Sequence, residues 1–162
     1  MAIAKFEKVS YEQFKKDFLK QGYGEEEIEK AYQFVQLPKR STAGSAGYDF
    51  VCPLDVNINQ AGQLIPTGIR ARIKVGYVLL VVPRSSLGFK CRLALDNSIG
   101  VIDRDYYQSD NEGHILVKVH ASKTVDLKAG DRFVQGIFVQ YGLAEEEEVE
   151  TMRNGGIGST NE

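Results

Sequence analysis

From Leu37 to Tyr141 the chain is a succession of short apolar stretches cut by turn-forming residues, with no helical period between them. Strands are expected at 48–51, 56–58, 68–73, 77–82, 90–95, 115–119 and 132–141. Ala61-Gly62, Val75-Gly76 and Gly130-Asp131 are among the turns that separate them. Many short strands without intervening helices imply a closed antiparallel barrel or a jelly roll. The expected fold class is therefore mostly β. No internal repeat is visible.

The first thirty-five residues have another texture. Ser10, with Gln13 three residues on, has the form of a capping box, and Val9 against Phe14 suits a hydrophobic staple. Phe14 and Phe18 fall on one helical face, with lysines opposite. Gly22 and Gly24 end that helix. Glu25, Glu26 and Glu27 suit the N-terminus of a second, whose inner stripe is Ile28, Ala31, Tyr32 and Val35. Residues 10–35 thus read as an inserted helical hairpin, leaving residues 1–9 able to supply a first strand. Its simplest role is packing on the barrel exterior; contact with a regulatory protein is the alternative.

With 162 residues, 43% hydrophobic and 26% charged, the chain suits one globular domain spanning 1–162. A net charge of −2 gives no basic field for a nucleic-acid polymer, though a small anion needs only a few local cations. Cys52 and Cys91 lack metal or redox spacing and suit free thiols in a reducing cytosol. No apolar run approaches membrane-spanning length, so a cytoplasmic protein without membrane contact is expected. Glu145 to Glu148 reads as a solvated linker. The glycine-rich arm 150–162 that follows cannot hold a shape by its own contacts, and stays mobile until something docks it.

Five polar clusters interrupt the strands. They are 43–49 (Ala-Gly-Ser-Ala-Gly-Tyr-Asp), 83–90 (Pro-Arg-Ser-Ser-Leu-Gly-Phe-Lys), 97–106 (Asn-Ser-Ile-Gly-Val-Ile-Asp-Arg-Asp-Tyr), 130–135 (Gly-Asp-Arg-Phe-Val-Gln) and 153–160 (Arg-Asn-Gly-Gly-Ile-Gly-Ser-Thr). At the end of an apolar strand, Arg84, Ser85 and Ser86 offer a guanidinium, hydroxyls and amides to phosphate oxygens. Taken alone they read equally well as a charged turn. Val101 and Ile102 directly precede Asp103, which puts that acid at the mouth of a pocket. His114 and His120 share no ligand spacing with each other or the cysteines, so a structural or exposed role is expected. A phosphate-binding Gly-x-x-x-x-Gly-Lys-Ser/Thr loop is absent from the sequence.

Together, in this order and spacing, the clusters closely resemble the homotrimeric dUTPases of bacterial or phage type, over about 37–160. Leu64-Ile65-Pro66-Thr67-Gly68 matches as well. The resemblance implies a jelly-roll subunit, a trimer, and sites that each draw on three chains. It implies hydrolysis of dUTP to dUMP and pyrophosphate by water attack at the α-phosphorus. That reaction limits uracil incorporation into DNA and supplies dUMP for thymidylate synthesis. By resemblance, Asp103 activates the water and Gln135 helps hold it. Arg84, Ser85 and Ser86 grip phosphates from a second subunit. Asn97, Gly100, Val101 and Ile102 belong to the hairpin that reads uracil, and Tyr106 lies against the deoxyribose, leaving no room for a 2′-hydroxyl. Arg153, Ile157, Gly158 and Ser159 belong to a closing arm, with Arg153 directed at the γ-phosphate. Magnesium arrives on the triphosphate and water, with no protein ligand. Asp49 and Asp131 are expected to be structural, Asp131 as partner of an arginine.

Three departures from the family pattern stand out. Residues 107–114 make a longer turn after Tyr106, expected to alter trimer or loop contacts. Ile157 replaces the usual phenylalanine over the base, which predicts weaker closure. The third is the helical segment 10–35. Two other readings remain at this point: a dCTP deaminase, which shares the fold and the Arg-Ser-Ser strand end, and a non-catalytic nucleotide sensor.

Overall fold

The computed structural model of the chain describes residues 2–145. A first strand, β1 (Ala4–Lys8), leads into two helices, α1 (Tyr11–Leu19) and α2 (Glu25–Phe34). Then follow β2 (Lys39–Arg40), β3 (Tyr48–Val51), β4 (Val56–Ile58), β5 (Gln63–Pro66), β6 (Ile69–Ile73) and β7 (Tyr77–Pro83). A short helix, α3 (Ser85–Cys91), precedes β8 (Leu93–Leu95) and β9 (Gly100–Ile102). Beyond a 3₁₀ turn at Asp105–Gln108 come β10 (Leu116–Ala121), β11 (Val125–Leu127) and β12 (Arg132–Gln140).

The pairings are antiparallel throughout. The largest sheet runs β2-β3-β12-β7-β9; β5-β10-β8, β1-β6 and β11-β4 complete a jelly roll. Alternation decides which side chains face inward: in β6, Ile69, Ala71 and Ile73 are buried while Arg70 and Arg72 are not. The core gathers Phe50, Ile58, Ile65, Leu79, Val119 and Phe133 from several sheets, and Phe14, Phe18 and Ile28 from the helices. The helices therefore extend the core inward from their apolar faces.

Two expectations needed correction. Residues 90–92 are not strand: the chain is helical to Cys91, and Arg92, at φ 54, turns it into β8. Leu87 and Cys91 lie four apart on one helical face, with Cys91 buried, while Phe89 is 88% exposed. The Cys91 thiol donates to the Leu87 carbonyl at 2.9 Å. A helical period of one turn thus outweighs the strand-like composition.

The second correction concerns the cap of α1. Ser10 Oγ accepts the Gln13 backbone N–H at 3.1 Å, the first half of a capping box. The Gln13 side chain turns away and donates to Asp17 at 2.7 Å. Glu112, from the long turn after Tyr106, takes over: its carboxylate accepts the Ser10 N–H at 2.8 Å and the Ser10 hydroxyl at 2.6 Å. A carboxylate at a helix N-terminus is also favoured by the helix dipole.

Behind that cap lies a buried polar chain. The Gly68 N–H donates to His114 Nε2 at 2.8 Å, so the imidazole proton sits on Nδ1, which faces Asp17 Oδ2 at 2.7 Å. Burial pushes the Asp17 carboxyl up, but hydrogen bonds from His114 and Gln13 outweigh it and hold the group below its ordinary value. Gly68, at φ +76, packs so tightly under Val35 and Phe14 that an added Cβ would meet Val35 at 2.6 Å.

On the other side of the turn, Glu7 of β1 accepts the Tyr107 hydroxyl and pairs with Lys5 at 2.9 Å and Arg72 at 3.2 Å. The Tyr107 ring lies under the Arg70 guanidinium, 4.3 Å from its centroid. The Tyr107 hydrogen bond foremost, then the Lys5 ammonium, bring the Glu7 pKa from 4.5 to about 2. A carboxylate depressed on folding stabilises the fold above its unfolded pKa and loses that contribution as pH falls through the folded value. Urea titrations should show Glu7→Gln less stable than the parent at pH 7. The difference should shrink from pH 4.5 down to about 2; a gap that does not depend on pH would contradict the assignment.

Candidate active site

The predicted residues fall into two groups. At the C-terminal end of β7, Arg84 caps α3 and Ser85 and Ser86 open it. Arg84 Nε donates to Asp49 Oδ1 at 2.9 Å, while the other carboxylate oxygen accepts from Arg132 at 3.0 Å and Ser41 at 2.7 Å. Asp49 is therefore the carboxylate that aligns the arginines. Asp131, expected to do so, instead accepts the Lys128 N–H at 2.8 Å and closes the turn at Gly130, φ +92. The four-residue turn 128–131 brings its carboxylate back onto its own backbone, and among the described residues it pairs with no guanidinium.

Gln135 stands next to this group, opposite Asp49 on β3 and Val82 on β7. Its side chain lies over Gly47, where an added Cβ would come within 2.3 Å of the amide oxygen. Glycine here serves close approach: its missing side chain is the space Gln135 occupies.

The second group surrounds a cavity of about 430 Å³, lined in part by Leu95, Asn97, Gly100, Val101, Ile102 and Tyr106. That volume lies within the usual range for small-ligand pockets, about 300–1,000 Å³. Ser98, at φ 64, lets the 95–100 turn close tightly, with its N–H on the Leu95 carbonyl at 3.0 Å. Among the described residues β9 pairs with β7 and β8 with β10, but no ladder joins β8 to β9. The gap between them is where a flat, hydrogen-bonding ring can meet the main chain. Tyr106 is buried; its hydroxyl donates to the His114 carbonyl at 2.8 Å and accepts from Asn111 Nδ2 at 2.8 Å.

Asp103 is half-buried and directly follows Ile102, which pairs with Leu79. Gln135 pairs with Val82 on the opposite flank of β7. Asp103 and Gln135 therefore attach four positions apart, roughly 13 Å along the strand, with two strand spacings between them. One chain does not bring them together. Arg153, Ile157, Gly158 and Ser159 lie outside the described residues. Sequence reasoning singled out neither the Asp49–Arg132 pair, whose members lie 83 positions apart, nor Asn111, whose partners Tyr106 and His114 are close in the chain but are met only through the fold of the turn.

An antiparallel jelly roll that keeps an arginine–serine turn apart from a small cavity at a strand gap defines the class of this protein. Residues 34–161 match the family model described as dUTPase. The chain belongs to the dUTPase family. It is 42% identical over 132 residues to the deoxyuridine 5′-triphosphate nucleotidohydrolase of Lactococcus lactis, covering 78% of this chain and 88% of that protein. The crystal structure of a dUTPase from Streptococcus mutans aligns with a TM-score of 0.65 at 39% identity, over 86% of this chain and 98% of the other. The fold is shared with the dUTPase of phage phi11 of S. aureus, at a TM-score of 0.66 and 18% identity, over 93% and 98% of the two chains; that protein coordinates a structural Mg(II) ion.

Asp49 holds two guanidiniums with one largely buried carboxylate. Asp49→Ala should lower unfolding free energy by about 1–3 kcal/mol, the cost of leaving hydrogen-bonded charges without their partner. Chemical denaturation at neutral pH measures it; a variant as stable as the parent would show that the arginines are held elsewhere.

Proposed function

We propose that this chain hydrolyses dUTP to dUMP and pyrophosphate, as a trimer whose sites combine residues from different copies. The observation that carries the reading is the cavity at the β8–β9 gap, with Tyr106 in its wall, inside a family-matched jelly roll. Main-chain groups of the 97–103 segment pair with O2, N3–H and O4 of uracil as a neighbouring strand would. Cytosine inverts the donor and acceptor pattern at two of those positions, and each buried group left unpaired costs about 1–3 kcal/mol. The Tyr106 ring covers the deoxyribose face and excludes a 2′-hydroxyl.

The separation of Asp103 from Gln135 within one chain supports a composite site. Arg84, Ser85, Ser86 and Gln135 of one subunit then receive the triphosphate of a nucleotide whose base sits in another's cavity. Asp103 accepts a proton from the water as its oxygen attacks the α-phosphorus; the bond to the bridging oxygen breaks and pyrophosphate leaves. Positioned general-base assistance of this kind contributes about 10²–10⁴-fold. The arm carrying Arg153, Ile157, Gly158 and Ser159 closes over the nucleotide and keeps bulk water out.

Magnesium fits this reading as a companion of the triphosphate. At the phosphate end the nearby carboxylate, Asp49, is already held by Arg84 and Arg132, leaving cationic and neutral donors for phosphate oxygens. Mg²⁺ keeps several waters and binds readily through phosphates, where it neutralises charge on the leaving group. The helical segment 10–35, the single-domain organisation and a cytoplasmic setting complete the proposal.

Incubation with dUTP and with dCTP, followed by pyrophosphate and ammonia assays, tests it: pyrophosphate from dUTP is expected, and ammonia from dCTP would point to a deaminase instead. Asp103→Asn should still bind dUTP while kcat falls by about 10²-fold or more; binding without turnover in the parent chain would make it a sensor. Gly47→Ala should leave the unfolding midpoint nearly unchanged yet reduce kcat about tenfold or more, because it displaces Gln135. Equal kcat would remove Gln135 from the reaction.

A further inference from the structure

The family match begins at Phe34, the last residue of α2, so α1 and nearly all of α2 precede it. Their partners lie within it. Asp17 of α1 holds His114 Nδ1 at 2.7 Å, and His114 Nε2 is fixed by the Gly68 N–H at 2.8 Å. His114 is fully buried, so neither bond competes with water. The carbonyl of this same residue accepts the Tyr106 hydroxyl, and Asn111 supplies that hydroxyl with its second bond.

The turn between them is pressed directly on Tyr106. Gly113 sits at φ +70, and an added Cβ would lie 2.7 Å from the Tyr106 carbonyl oxygen and 2.7 Å from Tyr107 Cα. Asn111 Oδ1 accepts the Gly113 N–H at 3.1 Å and so stiffens the same bend. Glu112, between them, is fastened to the start of α1 through Ser10. The long turn and the helical segment, separate departures in the sequence, form one brace whose inner end is the phenol of Tyr106.

We infer that Asp17, His114 and Asn111 are positioning residues for sugar selection, holding Tyr106 where its ring excludes a ribose 2′-hydroxyl. The inference rests on the role given to Tyr106 above. A ring tied at its hydroxyl by two hydrogen bonds cannot tilt to admit an extra oxygen without breaking them. Untied, it can yield, and the discriminating contact softens. The brace therefore bears on the choice between dUTP and UTP more than on the rate with dUTP.

The test compares kcat/KM for dUTP and for UTP in the full-length parent, Asn111→Ala, Asp17→Asn, Tyr106→Phe and the double variant Tyr106→Phe/Asn111→Ala. Each single variant should lower the dUTP-to-UTP ratio about three- to tenfold, the effect of roughly one net hydrogen bond. The double variant should lie close to Tyr106→Phe and well short of the product of the two single effects, since the Asn111 bond to Tyr106 is lost with the hydroxyl and only its bracing of the bend at Gly113 remains. Simple loss of folded protein scales both substrates together and leaves the ratio unmoved. An unchanged ratio in Asn111→Ala, or additive effects in the double variant, overturns the inference while dUTP hydrolysis by the parent stands. A parent that hydrolyses no dUTP overturns the functional reading as well, and shows this without any variant. Should Asp17→Asn fail to fold, Asn111→Ala and Tyr106→Phe decide the matter, since Asn111 sits on a half-buried turn outside the helical core.

Discussion

The imidazole of His114 joins three parts of the molecule that share no covalent neighbour: the Gly68 turn, α1 and the bend after the 3₁₀ turn. It is buried, and both ring nitrogens are satisfied, one accepting and one donating. An unsatisfied polar atom at that depth costs about 1–3 kcal/mol, so each partner is constrained by the other two. The helices cannot shift without moving Asp17, nor the turn without moving the carbonyl that holds Tyr106. This polar joint complements the apolar contact of Phe14 and Val35 with Gly68, which supplies area without direction.

Around that joint the large sheet keeps unlike chemistries apart. β7 carries Arg84 beyond its C-terminal end and the base-sized cavity along its β9 flank, with β12 on its other side. Sheet geometry fixes these distances, because pairing register permits no sliding without turning every inward side chain out. The arginine–serine end is aligned by Asp49, whose two oxygens address the guanidiniums of Arg84, at the start of α3, and Arg132, on β12. Rigid placement of both halves on strands, with the chain's contribution divided between them, makes docking of copies a chemical requirement of the proposed reaction.

Much of this was legible in the sequence, for identifiable reasons. Strands at 48–51 and 56–58 match the structure at both ends: Pro53 separates the two, and the turn at Gly62, φ +81, follows the second. The five ordered clusters pointed to the jelly roll and to the family. The helices were visible through Phe14, Phe18, Ile28 and Ala31, all buried as their spacing required. What escaped was long-range. Glu112 takes the reciprocal half of a cap that Gln13 was expected to fill, from 102 positions away. β2 is only two residues long, β5 reads Gln-Leu-Ile-Pro without alternation and ends in proline, and α3 hides about two turns beneath a strand-like composition. His114 was expected to be structural or exposed. That it ties a helix to Tyr106 in the cavity wall is a property of the fold, which no local pattern encodes.

The reciprocity of α1 and the 107–114 bend carries a consequence for any shortening of the chain. Deleting the helices would strip Glu112 of Ser10 and leave one nitrogen of His114 without Asp17; shortening the bend would leave Asp17 and the α1 N-terminus without theirs. Either loss alone strands polar groups that the other segment had satisfied. Asp17 and His114, 97 residues apart, thus tie the two segments into one interdependent unit: a chain keeping only one of them would bury polar groups without their partners.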